Sequence, residues 1–166
     1  MSGYAEALAA TAERRQGSTG SAGEAVKSGL ERFKGVFAEF TPAAIDARAA
    51  EVYAADAYFN DQVKELHGAA AIAPYLARSA ALLASWSIRF DDLVEGDREF
   101  YLRWEMTFAT KGDKDEPAVV APGISHLRLD ADGKVIMHQD FWDSTAGIFE
   151  RVPLLGGAIR AVKRRI

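Results

Sequence analysis

His138 and Asp140 have the clearest potential for chemistry in this sequence, because an imidazole and a carboxylate two positions apart share one face of a predicted strand. The stretch 123–143 predicts a β-hairpin whose turn is Asp130-Ala-Asp-Gly133. Large apolar residues occur on both faces of the second strand, so both faces are predicted to be covered. Burying an ionisable group is costly unless it is paired or used, which makes this face the first candidate site. A structural ion pair closing one end of a sheet is the alternative interpretation.

The alternation of side chains along the hairpin predicts which residues accompany this pair. Ile136 and Trp142 share the face of His138 and Asp140 in the second strand. In the first strand, Ser125 is predicted to point inward with the leucines that alternate after it. His126 is predicted to point outward, although a bulge near the turn would reverse its direction.

Composition excludes several classes of protein and site. A chain of 166 residues with a net charge of −4 predicts one domain and gives no reason to expect a nucleic-acid partner. The absence of cysteine excludes disulfides, thiolate metal sites and cysteine nucleophiles. No apolar run approaches the roughly 20 residues that span a bilayer, and the first residues lack the pattern of a secretory signal. These features predict a cytoplasmic protein. No third ligand stands at convincing spacing from the pair, so neither a metal nor a cofactor is expected.

The order of predicted elements indicates an α+β domain between two tails. Residues 1–22 end in a glycine- and serine-rich stretch and are predicted to be a flexible tail, with at most a transient helix. Residues 23–143 predict three helices followed by a long antiparallel meander. The second helix begins at Thr41-Pro42, an N-cap followed by proline at the first helical position.

The C-terminal segment, residues 144–166, predicts a basic amphipathic helix. Apolar residues from Leu154 to Ile166 form one stripe, and arginine and lysine fill the opposite face. Packing of this stripe on its own domain, or on a dimer mate, is favoured over contact with an anionic membrane surface.

Three stretches resemble the nuclear transport factor 2-like superfamily, which includes ketosteroid isomerases, limonene epoxide hydrolases and SnoaL-like polyketide cyclases. They are Val52-Tyr-Ala-Ala-Asp-Ala-Tyr-Phe-Asn-Asp61 with Gly68-Ala-Ala-Ala-Ile72, then Leu102-Arg-Trp-Glu-Met106, and finally Asp132-Gly-Lys-Val with His138-Gln-Asp-Phe-Trp-Asp143. The resemblance implies a cone-shaped half-barrel, in which a curved antiparallel sheet wraps around three N-terminal helices. It also implies a homodimer formed through the outer face of the sheet. Since this fold hosts enzymes, binding domains and transport factors, it does not identify an activity.

The resemblance transfers only part of each known catalytic set. The proton-shuttling carboxylate of ketosteroid isomerases falls on Asp61, but their two oxyanion donors fall on Phe37 and Ser125. Phenylalanine cannot donate a hydrogen bond and serine has a shorter reach, so a true steroid isomerase is not expected. The acid/base aspartate of the cyclases resembles Asp140. The charged Asp–Arg–Asp arrangement of the epoxide hydrolases would require Arg103 to turn inward, against its strand's alternation.

These considerations predict an acid–base pocket for a small, mostly apolar molecule. The predicted catalytic residues are Asp140, His138 and Asp61. The predicted ligand-binding residues are Phe37, Tyr53, Tyr58, Tyr75, Leu102, Trp104, Ser125, Leu127 and Trp142. A carboxylate that faces aromatic walls loses hydration, and this favours general acid–base work such as proton abstraction, dehydration or water activation. A ligand-binding or dimerisation module without catalysis remains the alternative.

Overall fold

The structure, a computed structural model, describes residues 3–112 and 118–144. The predicted C-terminal helix lies outside these residues, apart from its first position. The described chain forms four helices and six strands, in the order α1 (Gly3–Thr11), α2 (Gly23–Glu39), α3 (Pro42–Val52), β1 (Tyr53–Asn60), β2 (Glu65–His67), α4 (Ala69–Leu82), β3 (Leu83–Gly96), β4 (Glu99–Thr110), β5 (Val119–Leu129) and β6 (Val135–Trp142). None of these helices is long and apolar enough to cross a membrane.

The six strands form one curled, unclosed sheet in the order β2-β1-β6-β5-β4-β3. This confirms the predicted α+β cone. The sheet is mixed and not wholly antiparallel as predicted, because β1 runs parallel to β6 and pairs Phe59 with His138. The chain between β1 and β6 is long enough for the crossover connection that a parallel pair requires, whereas local strand patterns predict only hairpin-connected antiparallel pairs. The predicted hairpin is confirmed as β5 and β6, with Ser125 directly opposite Asp140.

Helices α2, α3 and α4 are associated with the inner face of the sheet through a shared apolar core. The side chains of Val26, Leu30 and Phe33 recur at helical spacing in α2 and are almost completely buried. Thr41 caps α3 by accepting a hydrogen bond from the Ala44 backbone N–H at 3.2 Å, and Pro42 follows at the first turn as predicted.

Helix α1 packs on the opposite, outer face of the sheet. Ala7 forms a small buried cluster with Tyr58 and Met137, and Arg128 donates hydrogen bonds to the Leu8 carbonyl and to Thr11 Oγ1. The Gln16 backbone N–H also donates to the Leu129 carbonyl at 2.8 Å. Residues 3–16 therefore have defined contacts where the composition predicts flexibility, because the alanine-rich face meets an apolar strand. Both faces of β6 are covered as predicted from Val135 to Asp140, whereas Phe141 at the end of the strand is exposed on the outer face.

A buried polar cluster lies beneath α1, on the outer face of β5. His126 is 1% exposed, stacks on Tyr101 and has its Nδ1 2.8 Å from the Tyr4 hydroxyl. Its Nε2 lies 2.7 Å from Glu99, which also pairs with Arg128. His126 points to the outer face as predicted, and α1 is what buries it. Burial lowers the pKa of His126 below its ordinary value, against the opposing attraction of Glu99.

This lowered pKa predicts a loss of stability in mild acid. Unfolded His126 takes up a proton near pH 6.5 while the folded imidazole resists it, so stability falls as the pH drops from about 6.5 through the folded pKa. We expect the free energy of unfolding in urea to fall less between about pH 7.5 and 5.5 in His126→Gln than in the wild type. Equal pH slopes in the two proteins would contradict this assignment.

Candidate active site

A cavity of about 420 Å³ lies between helices α2 and α4 and the inner face of the sheet. Aromatic residues are the largest group in its lining. The aromatic lining residues are Phe33, Phe37, Phe40, Phe59, Tyr75, Trp86, Phe90, Trp104, Phe108 and Trp142. Side chains of His138, Asp140, Ser125 and Asp61 bring polar groups to the same cavity. An apolar cavity with a few converging polar groups is the usual form of a small-molecule site.

Five side chains form a continuous hydrogen-bonded row along the inner face of the sheet. The Tyr53 hydroxyl lies 2.8 Å from His138 Nδ1, and His138 Nε2 lies 2.8 Å from Asp140 Oδ1. Ser125 Oγ donates to the same Asp140 oxygen at 2.6 Å and accepts from Trp104 Nε1 at 2.9 Å. The sequence predicted the His138–Asp140 contact and the inward position of Ser125, and both are confirmed.

The Asp140 carboxylate and the protonated Tyr53 hydroxyl together assign the direction of hydrogen bonding through this row. Burial, with a further contribution from the Asp140 and Asp61 charges, raises the pKa of Tyr53 well above its ordinary value, so its hydroxyl keeps its proton. Because the Asp140 carboxylate can only accept, His138 Nε2–H donates to it, and in this tautomer Nδ1 accepts from the Tyr53 hydroxyl. This tautomer is an assignment from the hydrogen-bond partners.

One oxygen of Asp140 is left available to a ligand. Its Oδ1 carries the bonds from His138 and Ser125, and its Oδ2 makes no hydrogen bond with any residue in the described part of the chain. The residue is 9% exposed and lines the cavity. The His138 imidazole beside it is 1% exposed and makes edge contacts with Phe33, Phe37 and Phe59. Asp140 is therefore held at one oxygen and presented at the other.

Asp61 has a structural role in addition to its place in the cavity wall. Its Oδ1 accepts from the Val63 and Lys64 backbone N–H groups at 3.0 and 2.8 Å, closing the turn after β1. Its Oδ2 accepts from the Tyr75 hydroxyl at 2.6 Å, and Trp142 Nε1 donates to its carbonyl at 2.8 Å. Burial, aided by Asp61, raises the pKa of Tyr75, so that hydroxyl also remains a donor.

The structure brings most of the predicted site residues together, but not all of them. Phe37, Tyr75, Trp104 and Trp142 line the cavity beside the polar residues. The predicted ligand residues Tyr53, Leu102 and Leu127 belong to the buried core and do not line it. Tyr53 contributes to the site through its hydrogen bond to His138.

Tyr58 lies on the other side of the sheet. It bonds to Gln139 at 3.0 Å and to Glu65 at 3.2 Å, beneath α1. Its neighbour Phe59 takes the cavity position, as alternation along β1 requires. Phe59 could not be assigned to the cavity from the sequence, because the inward face of β1 is set by its pairing with β6.

The position of Arg103 on the outer face of β4 excludes an epoxide-hydrolase arrangement that would use this arginine in the cavity. As the strand's alternation predicts, Arg103 points away from the cavity and pairs with Asp91 and Asp92. Glu105 lies on the same outer face and accepts from Arg89 at 3.1 Å. No arginine or lysine among the described residues lines the cavity.

The buried contact between Tyr53 and His138 predicts a measurable cost when the hydroxyl is removed. In Tyr53→Phe, His138 Nδ1 loses its partner in a water-excluded position. We expect the free energy of unfolding in urea to fall by about 1–2 kcal/mol. Tyr101→Phe is the matched control, because the Tyr101 hydroxyl makes an exposed bond to Glu99. An equal loss in both variants would show that His138 does not depend on Tyr53.

Comparison with known proteins identifies the family. A family model described as a SnoaL-like domain matches residues 30–138, which is more than half of the chain. A search of curated protein sequences finds no significant match.

Solved structures with the same fold share low sequence identity with this chain. An NTF2-like protein of unknown function from Exiguobacterium is 19% identical, with a TM-score of 0.59 over 70% of this chain and 99% of that one. A protein with a ketosteroid isomerase-like fold from Catenulispora acidiphila, in complex with trimethylamine, is 15% identical, with a TM-score of 0.61 over 72% and 88%. An LEH-like epoxide hydrolase from M. tuberculosis is 15% identical, with a TM-score of 0.59 over 85% and 96%. These identities support the fold alone, whereas the family match carries the assignment: the chain belongs to the SnoaL-like domain family.

Proposed function

We propose that the protein is a polyketide-cyclase-like or isomerase-like enzyme that uses Asp140 as a general base on a small, mostly apolar molecule. The observation that carries this proposal is that the two oxygens of the Asp140 carboxylate differ in their hydrogen bonding. Asp140 Oδ1 is held by His138 and Ser125, while Oδ2 has no partner among the described residues, and the Asp140 side chain lines a cavity rich in aromatic residues. A positioned base with a free oxygen is the first requirement for removing a proton from carbon.

The row behind Asp140 supports the transfer of a proton. When Oδ2 takes a proton from the substrate, the His138 and Ser125 hydrogen bonds at Oδ1 keep the carboxyl group oriented for its return. Tyr53 holds the imidazole from its far side. Asp61, with Tyr75, supplies a second carboxylate in the same cavity. In this proposal it orients the ligand while Asp140 moves the proton.

The donors in the cavity favour cyclase-like chemistry over steroid isomerisation. Phe37, which takes the place of the isomerase tyrosine in the sequence resemblance, lines the cavity, and the Ser125 hydroxyl already donates its hydrogen bond to Asp140. No dedicated oxyanion hole is therefore present among the described lining residues. A substrate proton flanked by two carbonyl groups, as in polyketides, is acidic enough to need less stabilisation of the resulting anion.

The missing oxyanion donors also favour a second candidate, a ligand-binding module without catalysis. The two candidates differ in one measurable property, the reactivity of Asp140 toward a C–H proton. Both require that a small apolar molecule enters the cavity. The trimethylamine complex of the Catenulispora protein supports ligand binding by this fold.

Kemp elimination of 5-nitrobenzisoxazole tests the catalytic proposal. A carboxylate base removes the ring C–H proton, the ring N–O bond breaks, and a coloured cyanophenolate forms without a cofactor or an oxyanion hole. This small aromatic probe suits an aromatic cavity, and carboxylates react far faster when they are desolvated. We expect the protein to accelerate the reaction above an equal concentration of acetate. Quenching of tryptophan fluorescence by the probe without acceleration would support the binding module instead.

We also propose that the protein is a homodimer formed through the outer face of the sheet. Three apolar residues on the outer face of β5 and β6 are substantially exposed: Val120 (58%), Ile124 (41%) and Phe141 (45%). Exposed apolar patches commonly mark association surfaces. Sedimentation equilibrium showing only the 18.0 kDa species would contradict this proposal.

A further inference from the structure

The charges around the cavity have one sign. Asp61 and Asp140 line it, and the described lining residues include no lysine or arginine to balance the two carboxylates. An anionic ligand would meet two carboxyl groups without a fixed counter-charge. A ligand that carries a positive charge would instead be attracted by both carboxyl groups.

The walls of the cavity also suit a cation. The negative face of an aromatic ring attracts an ammonium group within about 6 Å of the ring centre, most strongly when water is excluded. Ten lining residues are aromatic, and several pack closely with one another. Phe37 stacks on Phe40 with ring centres 5.6 Å apart, and Phe40 lies 4.6 Å from Trp86.

Asp61 brings a carboxylate next to two aromatic side chains of the cavity, those of Tyr75 and Trp142. Its Oδ2 contacts the Tyr75 hydroxyl, and the Trp142 indole is anchored to its carbonyl. Its two oxygens accept three hydrogen bonds in all, which leaves part of a carboxylate's capacity of about four unused. The three donors are two backbone N–H groups and the Tyr75 hydroxyl, which are all neutral, so no hydrogen-bond partner in the described structure offsets the charge of Asp61.

We infer that the ligand of this cavity is an apolar molecule bearing an ammonium group, bound with its charge beside Asp61, Tyr75 and Trp142. The inference rests on the proposed function in placing the ligand in the same cavity, and it specifies the chemical class. The ammonium group occupies the Asp61 end of the ligand, and the apolar body extends along the aromatic walls. Asp140 Oδ2 then remains available for the acid–base step.

A pair of probes with the same shape and different charge isolates this property. Phenyltrimethylammonium and tert-butylbenzene differ in the replacement of nitrogen by carbon. The three tryptophans of the chain, Trp86, Trp104 and Trp142, all line the cavity, so intrinsic fluorescence reports binding there directly. We expect the cation to bind at least about 10-fold more tightly than its neutral counterpart, combining ring attraction with the carboxylate charge.

Asp61→Asn tests the assigned position of the charge. An asparagine oxygen can still accept from the Val63 and Lys64 N–H groups, and its amide can donate to the Tyr75 hydroxyl, so the turn is preserved. We expect the affinity for phenyltrimethylammonium to fall about 3- to 10-fold, while that for tert-butylbenzene changes less than about twofold. Asp132→Asn, on the exposed hairpin turn, should change neither affinity.

The outcomes separate this inference from the proposed function. Equal or tighter binding of tert-butylbenzene by the wild type would overturn the cation inference, and so would unchanged cation affinity in Asp61→Asn. If Kemp elimination still proceeds in either case, the proposed base survives. Failure of both probes to bind would overturn the cation inference together with the small-ligand cavity.

Discussion

Asp140→Asn is expected to lower kcat/KM for Kemp elimination of 5-nitrobenzisoxazole by at least about 100-fold, the usual contribution of a positioned general base. The amide has the size of the carboxylate but cannot accept the proton. Its oxygen can still accept from His138 Nε2 and from Ser125 Oγ, so the hydrogen-bonded row remains satisfied at this end. The initial rate of cyanophenolate formation, followed by absorbance, measures the loss.

A matched control separates the chemistry of Asp140 from a general change in charge. Asp132 is an exposed aspartate in the turn of the same hairpin, and Asp132→Asn removes the same charge outside the cavity. We expect its rate to match the wild type. Urea unfolding of Asp140→Asn should show a folded protein at the assay temperature. An Asp140→Asn rate equal to that of the wild type would exclude Asp140 as the base.

Gly123→Ala is expected to disturb the cavity from within the sheet. Gly123 lies in β5 directly between Trp104 of β4 and Trp142 of β6. A Cβ at this position would stand 2.2 Å from the Trp104 ring, so the indole must shift. Trp104 lines the cavity and donates to Ser125, and its displacement both occupies ligand space and loosens the support of Asp140.

Two measurements record this effect. We expect the free energy of unfolding of Gly123→Ala to fall by about 2–3 kcal/mol, as in other overpacked cores. We also expect the affinity for tert-butylbenzene to fall at least about 10-fold, which corresponds to about 1.4 kcal/mol.

Gly35→Ala is the matched control for this substitution. A Cβ on Gly35, within α2, would meet no atom within 4 Å, so alanine there should stabilise the helix by up to about 1 kcal/mol. Its affinity for tert-butylbenzene should equal that of the wild type. Wild-type affinity in Gly123→Ala would show that the Trp104 position does not shape the cavity.

The hairpin was predictable from the sequence because its signals are local. A glycine-containing turn fixes where the strands reverse, and period-two alternation then assigns each side chain to a face. This reasoning correctly placed His138, Asp140 and Ser125 on the inner face. The same alternation correctly placed Arg103 outside, and with it excluded the epoxide-hydrolase arrangement.

Features that depend on distant pairing were not predictable in the same way. Tyr58 and Phe59 are adjacent aromatic residues, and only the register of β1 against β6 decides which of them faces the cavity. The contacts of α1 depend on an apolar patch around Met137 that forms only once the sheet has assembled. The intrinsic helix propensity of the α1 segment predicts its structure only weakly, because most of its stability comes from this packing.

Asp61 shows a further limit of the sequence. Its position in the sequence predicted a catalytic carboxylate, and the structure gives it a turn-closing role while also placing it in the cavity wall. Which chemistry it supports depends on the Tyr75 and Trp142 contacts, and these join residues far apart in the chain. The spacing of residues along the sequence does not predict which of these side chains come into contact with Asp61.

A crystal structure of the complex with 6-nitrobenzotriazole tests the central claim most directly. This molecule copies the shape of the Kemp substrate but cannot open its ring, and its N–H group marks where the reacting proton would stand. We predict that it occupies the aromatic cavity with this N–H group about 2.6–3.2 Å from Asp140 Oδ2, the distance required of a general base. A ligand bound outside the cavity, or one whose N–H group points away from Asp140, would contradict the account.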